Sequence, residues 1–201
     1  MKLTTEQIKE VQNALGATRV IHYDILIEIT DHVASVLEKQ EGDFKENLTC
    51  YIQDNKAELQ TLNRKFKRMG AARGMRLLFA NLFSWRILLV FAGIISLGKV
   101  IQLFANQDDM GIFMFLIFNA CTCIGCYPGI KSIMLKKQNF SFDSGIAVLP
   151  SLLLYPSILM LSRIPNPDFL IVYYAAVAAF MININFTTRA LYHKYTRIYY
   201  A

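Results

Sequence analysis

The spacing of apolar residues changes once along this chain. Up to about residue 62 they recur every three or four positions, the period of a helix with one buried face. Ile8, Val11 and Leu15 make the first stripe, with Thr4 and Gln7 placed as a capping box and Gly16 as a stop. Ile25, Ile29, Val33 and Val36, flanked by Leu26 and Leu37, make the second, over about 18–40, and Gly42 closes it. Asp43 and Glu46 repeat the capping chemistry before a third helix carrying Phe44, Leu48, Ile52, Leu59 and Leu62. Three amphipathic helices in residues 1–65 predict one small bundle. So short a chain buries little surface, and it needs the rest of the protein or a partner to be stable.

From about residue 83 the stripes merge into continuous apolar runs. Four are long enough for helices across a bilayer, which takes roughly 20 residues. They cover about 83–104, 110–129, 145–162 and 169–187. Pro128 and Gly129 suit the end of the second, and Pro150 and Pro156 should bend the third. The expected fold class is all-α: a cytoplasmic three-helix domain, then a four-helix transmembrane bundle over 87–188. Between them, residues 66–86 mix cations with bulky apolar side chains. This predicts an amphipathic segment in the membrane interface, with Leu77, Leu78, Phe79, Leu82 and Phe83 dipping in. Trp85 and Arg86 mark where the first span begins.

Charge sets the orientation. Residues 1–60 hold eleven acids and six Lys/Arg, a net of −5. A basic collar of Arg64, Lys65, Lys67, Arg68, Arg73 and Arg76 follows without an acid. The formal charge of +6 therefore points to anionic lipid headgroups as a partner and not to nucleic acid. With the amino terminus inside, the inner segments carry nineteen Lys/Arg, including Lys131, Lys136, Lys137, Arg189, Lys194 and Arg197. The outer loops carry one, Arg163. Four spans with both ends cytoplasmic follow, and residues 189–201 form a basic tail. The N-x-S/T triplets at Asn47, Asn139 and Asn185 all fall on the inner side and should carry no glycan. MKLTTEQIKE has no apolar signal region, so the first span should do the targeting.

Candidate chemistry is sparse. Asp24, Glu28, Asp31 and His32 lie within two turns of one helix, and Glu28 and His32 have the i, i+4 spacing of helical metal ligands. Their plainer reading is a solvated face opposite the Ile25–Ile29–Val33 stripe. Cys121, Cys123 and Cys126 sit on an apolar helix, 123 and 126 on one face and 121 turned away; they suit small packing residues, with lipidation or redox sensing as the alternative. Lys99 is the one ionisable group well inside a span. It is open to snorkelling toward the outer interface, to a pore role, and to a nucleophile pair with Ser96. Asn119, Asn183 and Asn185 should hydrogen-bond between helices, each for roughly 0.6–2 kcal/mol. The pairs Ala175–Ala179 and Cys121–Gly125 favour close approach, within the chain or between copies in a homo-oligomer.

The stretch YDILIEITDHVASVLEK carries Tyr23, Asp24, Glu28, Asp31, His32 and Ser35 in the pattern Tyr-Asp-x-x-x-Glu-x-x-Asp-His-x-x-Ser. With the Asp43–Glu46 helix start, it resembles the HAAS-type signalling domains of bacterial membrane proteins, over about residues 1–65. The Gly-containing segment that usually closes that module is absent, and Asn63-Arg64-Lys65 stands there. The resemblance implies a short helical cytoplasmic module, fused to membrane helices and working in signalling or regulation.

The four runs contain no Asp, Glu or His, the groups on which proton-coupled transport and intramembrane proteolysis generally rely. There is no phosphate-binding loop, no H-E-x-x-H and no G-x-S-x-G. No cofactor and no enzyme activity are expected. The first expectation is a bacterial inner-membrane regulatory or scaffolding adaptor, whose acidic domain binds a cytoplasmic protein or folds back on the basic collar. The second is a small channel or permease subunit lined by Lys99 and the amides. The third is a lipid-modifying enzyme using Asp143 and His193 at its rim.

Overall fold

A computed structural model describes residues 3–18, 20, 22–134, 140–161 and 166–199. Lys136, Lys137, Asn139 and Arg163, counted above, lie outside the described residues, as does Ser162 at the end of the third apolar run. Among the described residues the chain is all-α, with no strand. Its helices are α1 (Thr5–Ala17), α2 (Tyr23–Leu37), α3 (Phe44–Asp54), α4 (Lys56–Leu82), α5 (Trp85–Gln102), α6 (Gln107–Met134), α7 (Asp143–Ile146), α8 (Leu149–Leu161) and α9 (Pro167–Tyr199).

The amino-terminal module forms from its stripes. The Thr4 hydroxyl accepts from the Gln7 N–H at 3.3 Å, and the Gln7 side chain accepts from the Thr4 N–H at 2.8 Å. Asp43 caps α3 by accepting from the Glu46 N–H at 3.1 Å. Gly42 adopts φ +113°, a conformation that L side chains rarely take. Val11, Leu15, Ile25, Ile29, Val33, Leu37, Leu48 and Leu59 make one buried core. The expected third helix is in fact two. Asn55 breaks it, and its amide donates to the Tyr51 carbonyl at 3.0 Å, competing with the helix's own bonding.

The expected boundary at residues 65 and 66 falls inside α4. This helix gives Leu59 to the module's core and Leu78 to a second core shared with the apolar helices. Leu78 does not dip into lipid as expected but is fully buried, whereas Phe79, Phe83 and Trp85 are exposed. The reason is the face of α4 marked by Gly70, Gly74 and Leu78, which is covered by protein.

Four helical stretches are long and apolar enough to cross a membrane: Trp85–Gln102, Asp109–Tyr127, Asp143–Met160 and Pro167–Ile198. The chain is a multi-pass membrane protein. Three expectations for these stretches change. α6 does not end at Pro128 and Gly129 but continues to Met134. Proline has no N–H for the carbonyl four residues back, here Ile124. The Asn185 side chain donates to that carbonyl instead. The third run is broken rather than bent at Pro150. A continuous helix would set this proline against the Ile146 carbonyl, so α7 ends there and Pro150 occupies the first turn of α8, where no N–H is required. Pro156 stays inside α8. The expected basic tail is a continuation of α9, whose 33 residues reach about 50 Å, well beyond a hydrocarbon core of about 30 Å.

α9 is the central mast, packed against α4, α5, α6, α7 and α8. Tyr174, Ala175, Ala178, Ala179 and Met181 are buried along it, so the Ala175–Ala179 pair is used within the chain. At Gly125 of α6, a Cβ would stand 2.7 Å from the Met181 carbonyl oxygen, so the two backbones meet there. Gly93 of α5 faces open space. Gly125→Leu should therefore force α6 from α9, costing about 1–3 kcal/mol by overpacking. Thermal unfolding in detergent should show a lowered midpoint for Gly125→Leu and an unchanged one for Gly93→Leu.

Candidate functional site: the joint between the helical module and the apolar bundle

The residues that bring chemistry together lie where the module meets the bundle. Segment 140–146, which leads into the third apolar stretch and overlaps its start, alternates aromatic and polar side chains: Phe140, Ser141, Phe142, Asp143. The aromatics turn inward. Phe140 and Phe142 stack with centroids 5.8 Å apart and meet Tyr192 and Tyr195 of α9 at 5.1–5.6 Å. Such pairs contribute about 0.5–1.5 kcal/mol each beyond the area they bury. Tyr23, the first residue of α2, sets its ring edge-on to Phe140 at 6.5 Å.

The polar residues of the segment tie the two halves. Asp24 accepts the Ser141 N–H at 3.0 Å and the Ser141 hydroxyl with its other oxygen. Asp24 is only 6% exposed, and Ser141 is buried as well. Its place in the first turn of α2 suits an anion, because unpaired N–H groups and the helix dipole point there. Asp143 accepts from the Tyr192 hydroxyl. Arg73 donates to the Tyr195 hydroxyl at 3.2 Å, so α4 and α9 are tied on the same level.

Two glycines of α4 make room for this segment. A Cβ on Gly70 would overlap the Ser141 hydroxyl and lie 2.6 Å from its Cβ. On Gly74 it would lie 3.2 Å from the Phe142 Cβ, and on Gly145 3.1 Å from Ala71. The G-x-x-x-G at 70–74 is the signal in the sequence that sequence reasoning passed over. Ser141, Tyr192 and Tyr195 were missed because only the fold brings residues 23–24, 140–143 and 192–195 together.

The acidic stretch of α2 is divided. Asp24 leaves the solvated face it was expected to share and is buried against Ser141, whereas Glu28, Asp31 and His32 are exposed. Among the described residues no group of His, Cys, Asp or Glu is placed to hold a metal. Partial burial pushes the Glu28 carboxyl above its ordinary value, with help from Asp24 and Asp31 and against Arg73. Burial likewise holds the His22 imidazole below its usual 6.5, opposed by Asp24 and assisted by Lys67. The Nδ1 of His22 is buried without a hydrogen-bond partner, so a second ring proton would find no acceptor.

The collar residues Arg64, Lys65, Lys67, Arg68, Arg73 and Arg76 are all exposed. The module is held by Asp24, Ser141 and aromatic packing, not by its net charge. Lys99 sits far from this joint. Its ammonium lies 2.6 Å from Asp168 in the first turn of α9, with Gln102 3.1 Å from the same oxygen. Ser96 donates to the Ala92 carbonyl at 2.9 Å, so no Ser–Lys nucleophile forms. Two of the three amides bond between helices as expected, and Asn119 does not, because it bonds back within α6. Asn183 donates to the Leu78 carbonyl at 2.9 Å, Asn185 to Ile124, and Asn119 to Phe115 of its own helix at 2.8 Å. Asn185 is buried between helices and out of reach of any glycosylating enzyme. Cys121 and Cys126 are half-buried and Cys123 exposed, all three as free thiols.

These features define a class: a multi-pass helical membrane protein with a helical module locked to it by a buried carboxylate. No protein-family model matches the chain, and no curated protein or solved structure matches it.

Hydrogen bonds to a charged group are worth about 1.5–3 kcal/mol each. Asp24→Asn should accordingly loosen the joint by about ten- to a hundredfold, read as faster amide exchange in α2 and at 140–146. Exchange in the parent protein should be equal at 50 mM and 500 mM salt, because the lock is buried. A second outcome concerns pH. The folded His22 value lies below the unfolded one, so the unfolded chain takes up the proton first. Stability should fall as pH drops below about 6.5, and His22→Gln should flatten that slope in pH-dependent unfolding.

Proposed function

We propose that this chain is a regulatory or scaffolding adaptor of a bacterial inner membrane, with both termini in the cytoplasm. The observation that carries the reading is the buried Asp24–Ser141 lock. It fastens a module to the loop leading into the third span, while α4 runs unbroken from the module's core into the membrane core. A partner bound on the module is thereby coupled mechanically to the spans. The module offers such a partner an exposed acidic surface, including Glu6, Asp31, Glu41, Asp43, Glu46, Asp54 and Glu58. The excess of Lys/Arg on segments flanking that side supports the orientation. The resemblance of residues 1–65 to HAAS-type signalling modules points the same way.

A small channel or permease subunit is less favoured. The three amides are committed to carbonyls, and Lys99 is committed to Asp168 near one end of the bundle. A lipid-modifying enzyme has less support still, since Asp143 is held by Tyr192 inside the joint.

A photo-reactive residue placed at Asp31 or Glu46 in living cells should trap one discrete protein, and one at lipid-facing Leu97 should not. Glu41→Lys with Glu46→Lys should weaken the trapping severalfold. The reconstituted protein should leave solute flux into liposomes at the level of empty vesicles. Flux abolished by Lys99→Leu would replace the adaptor with a permeation pathway. A carboxyl-terminal reporter active only outside the cytoplasm should stay silent, and activity there would invert the topology.

A further inference from the structure

The last three turns of α9 have two faces. Leu191, Tyr192 and Tyr195 turn toward the joint. The opposite arc is exposed and carries Arg189, His193, Lys194 and Arg197, spaced so that one side of the helix collects them. With Ala190 and Ile198 these residues form an open, shallow surface along one side of α9, with no acid among them. The small Ala190 side chain leaves room between the cations. Arg189 lies over the Tyr127 ring of α6 at 5.9 Å, a cation–π contact that ties this arc to α6. One turn below, on the same arc, Phe186 is 47% exposed and turns away from the other helices.

We propose that this basic surface of α9 binds the headgroup phosphate of an anionic phospholipid, with an acyl chain lying along Phe186. The site combines three cations, a mostly apolar surface between them, and an apolar track that continues into the bilayer. α9 leaves the hydrocarbon at this depth, because about 20 of its 33 residues suffice to cross. Arginine guanidinium groups suit phosphate by forked hydrogen bonding, and Lys194 adds a point charge. A free phosphate shares the headgroup chemistry but gains nothing from Phe186. That contact commits the surface to lipid. The site is separate from the collar on α4, which presents its cations along a different helix. It lies behind Tyr192 and Tyr195, so an occupant would bear on the helix that clamps segment 140–146. The inference stands on α9 being a span and does not need the adaptor reading.

The test uses the full-length protein in nanodiscs containing phosphatidylglycerol or phosphatidylcholine, with lipid retained after detergent extraction counted by native mass spectrometry. One phosphatidylglycerol should stay with each chain, at least tenfold more tightly than phosphatidylcholine. The variant Arg189→Gln, Lys194→Gln, Arg197→Gln should lose that preference tenfold or more while keeping the parent thermal midpoint. The matched variant Arg64→Gln, Lys65→Gln, Lys67→Gln should keep the preference. Equal retention of the two lipids would overturn the proposal, as would unchanged retention in the α9 variant or equal loss in the collar variant. Displacement of phosphatidylglycerol by millimolar glycerol 3-phosphate would also overturn it, by making a soluble phosphate the ligand.

Discussion

Apolar side chains gain almost nothing by leaving lipid for a neighbouring helix, since hydrocarbon surrounds them either way. Helices in a bilayer must therefore be held by close backbone approach and by polar groups with nowhere else to go. The membrane half of this protein is built on that constraint, with α9 as the common partner. Gly125 lets α6 touch the Met181 backbone, and Gly98 lets α5 approach Ile171 closely. Ala175, Ala178 and Ala179 keep the mast narrow. Each buried amide then answers a specific carbonyl. Asn185 meets the carbonyl that Pro128 leaves free, so a helix-weakening residue in α6 becomes a point of attachment for α9.

The same helices carry the order of the membrane core out to the module. α4 belongs to both hydrophobic cores, through Leu59 at one end and Leu78 at the other. α9 continues past the bilayer and supplies Tyr192 and Tyr195. Segment 140–146 fills the gap between them, against Gly70 and Gly74, and receives Asp24 from the module. Burying a carboxylate in that gap is tolerable only because Ser141 satisfies both of its oxygens. The arrangement makes Asp24 a lock with a defined place of release, which exposed charges along α2 and α4 would not provide. Screened by salt and spread over mobile side chains, those charges bias association and specificity instead.

Much of this was legible in the sequence. The stripes of α1–α3, the Thr4 and Asp43 caps and the four apolar runs were all read correctly as local patterns, because each depends on residues within a turn or two, or on composition. The Asn183 and Asn185 amides were rightly assigned to packing between helices, though their acceptors were not. The main errors turned on contacts made far along the chain. Pro128 does not end α6, because the Asn185 amide answers the Ile124 carbonyl. Leu78 and Asp24 were placed in lipid and in solvent, and the bundle core and Ser141 bury them instead.

What the sequence determined by itself, then, is the class of object: an all-α chain with a polar helical module and four apolar stretches able to cross a membrane. Periodicity and run length settle that without reference to contacts. Only the tertiary structure decided that Asp24 is buried while Glu28, Asp31 and His32 are not, although all four sit on one short helix. The difference is made by Ser141, 117 residues away in the chain, and by two glycines of α4 that let it come close. No local pattern encodes that meeting, because burial of a charge depends on which backbone arrives to satisfy it.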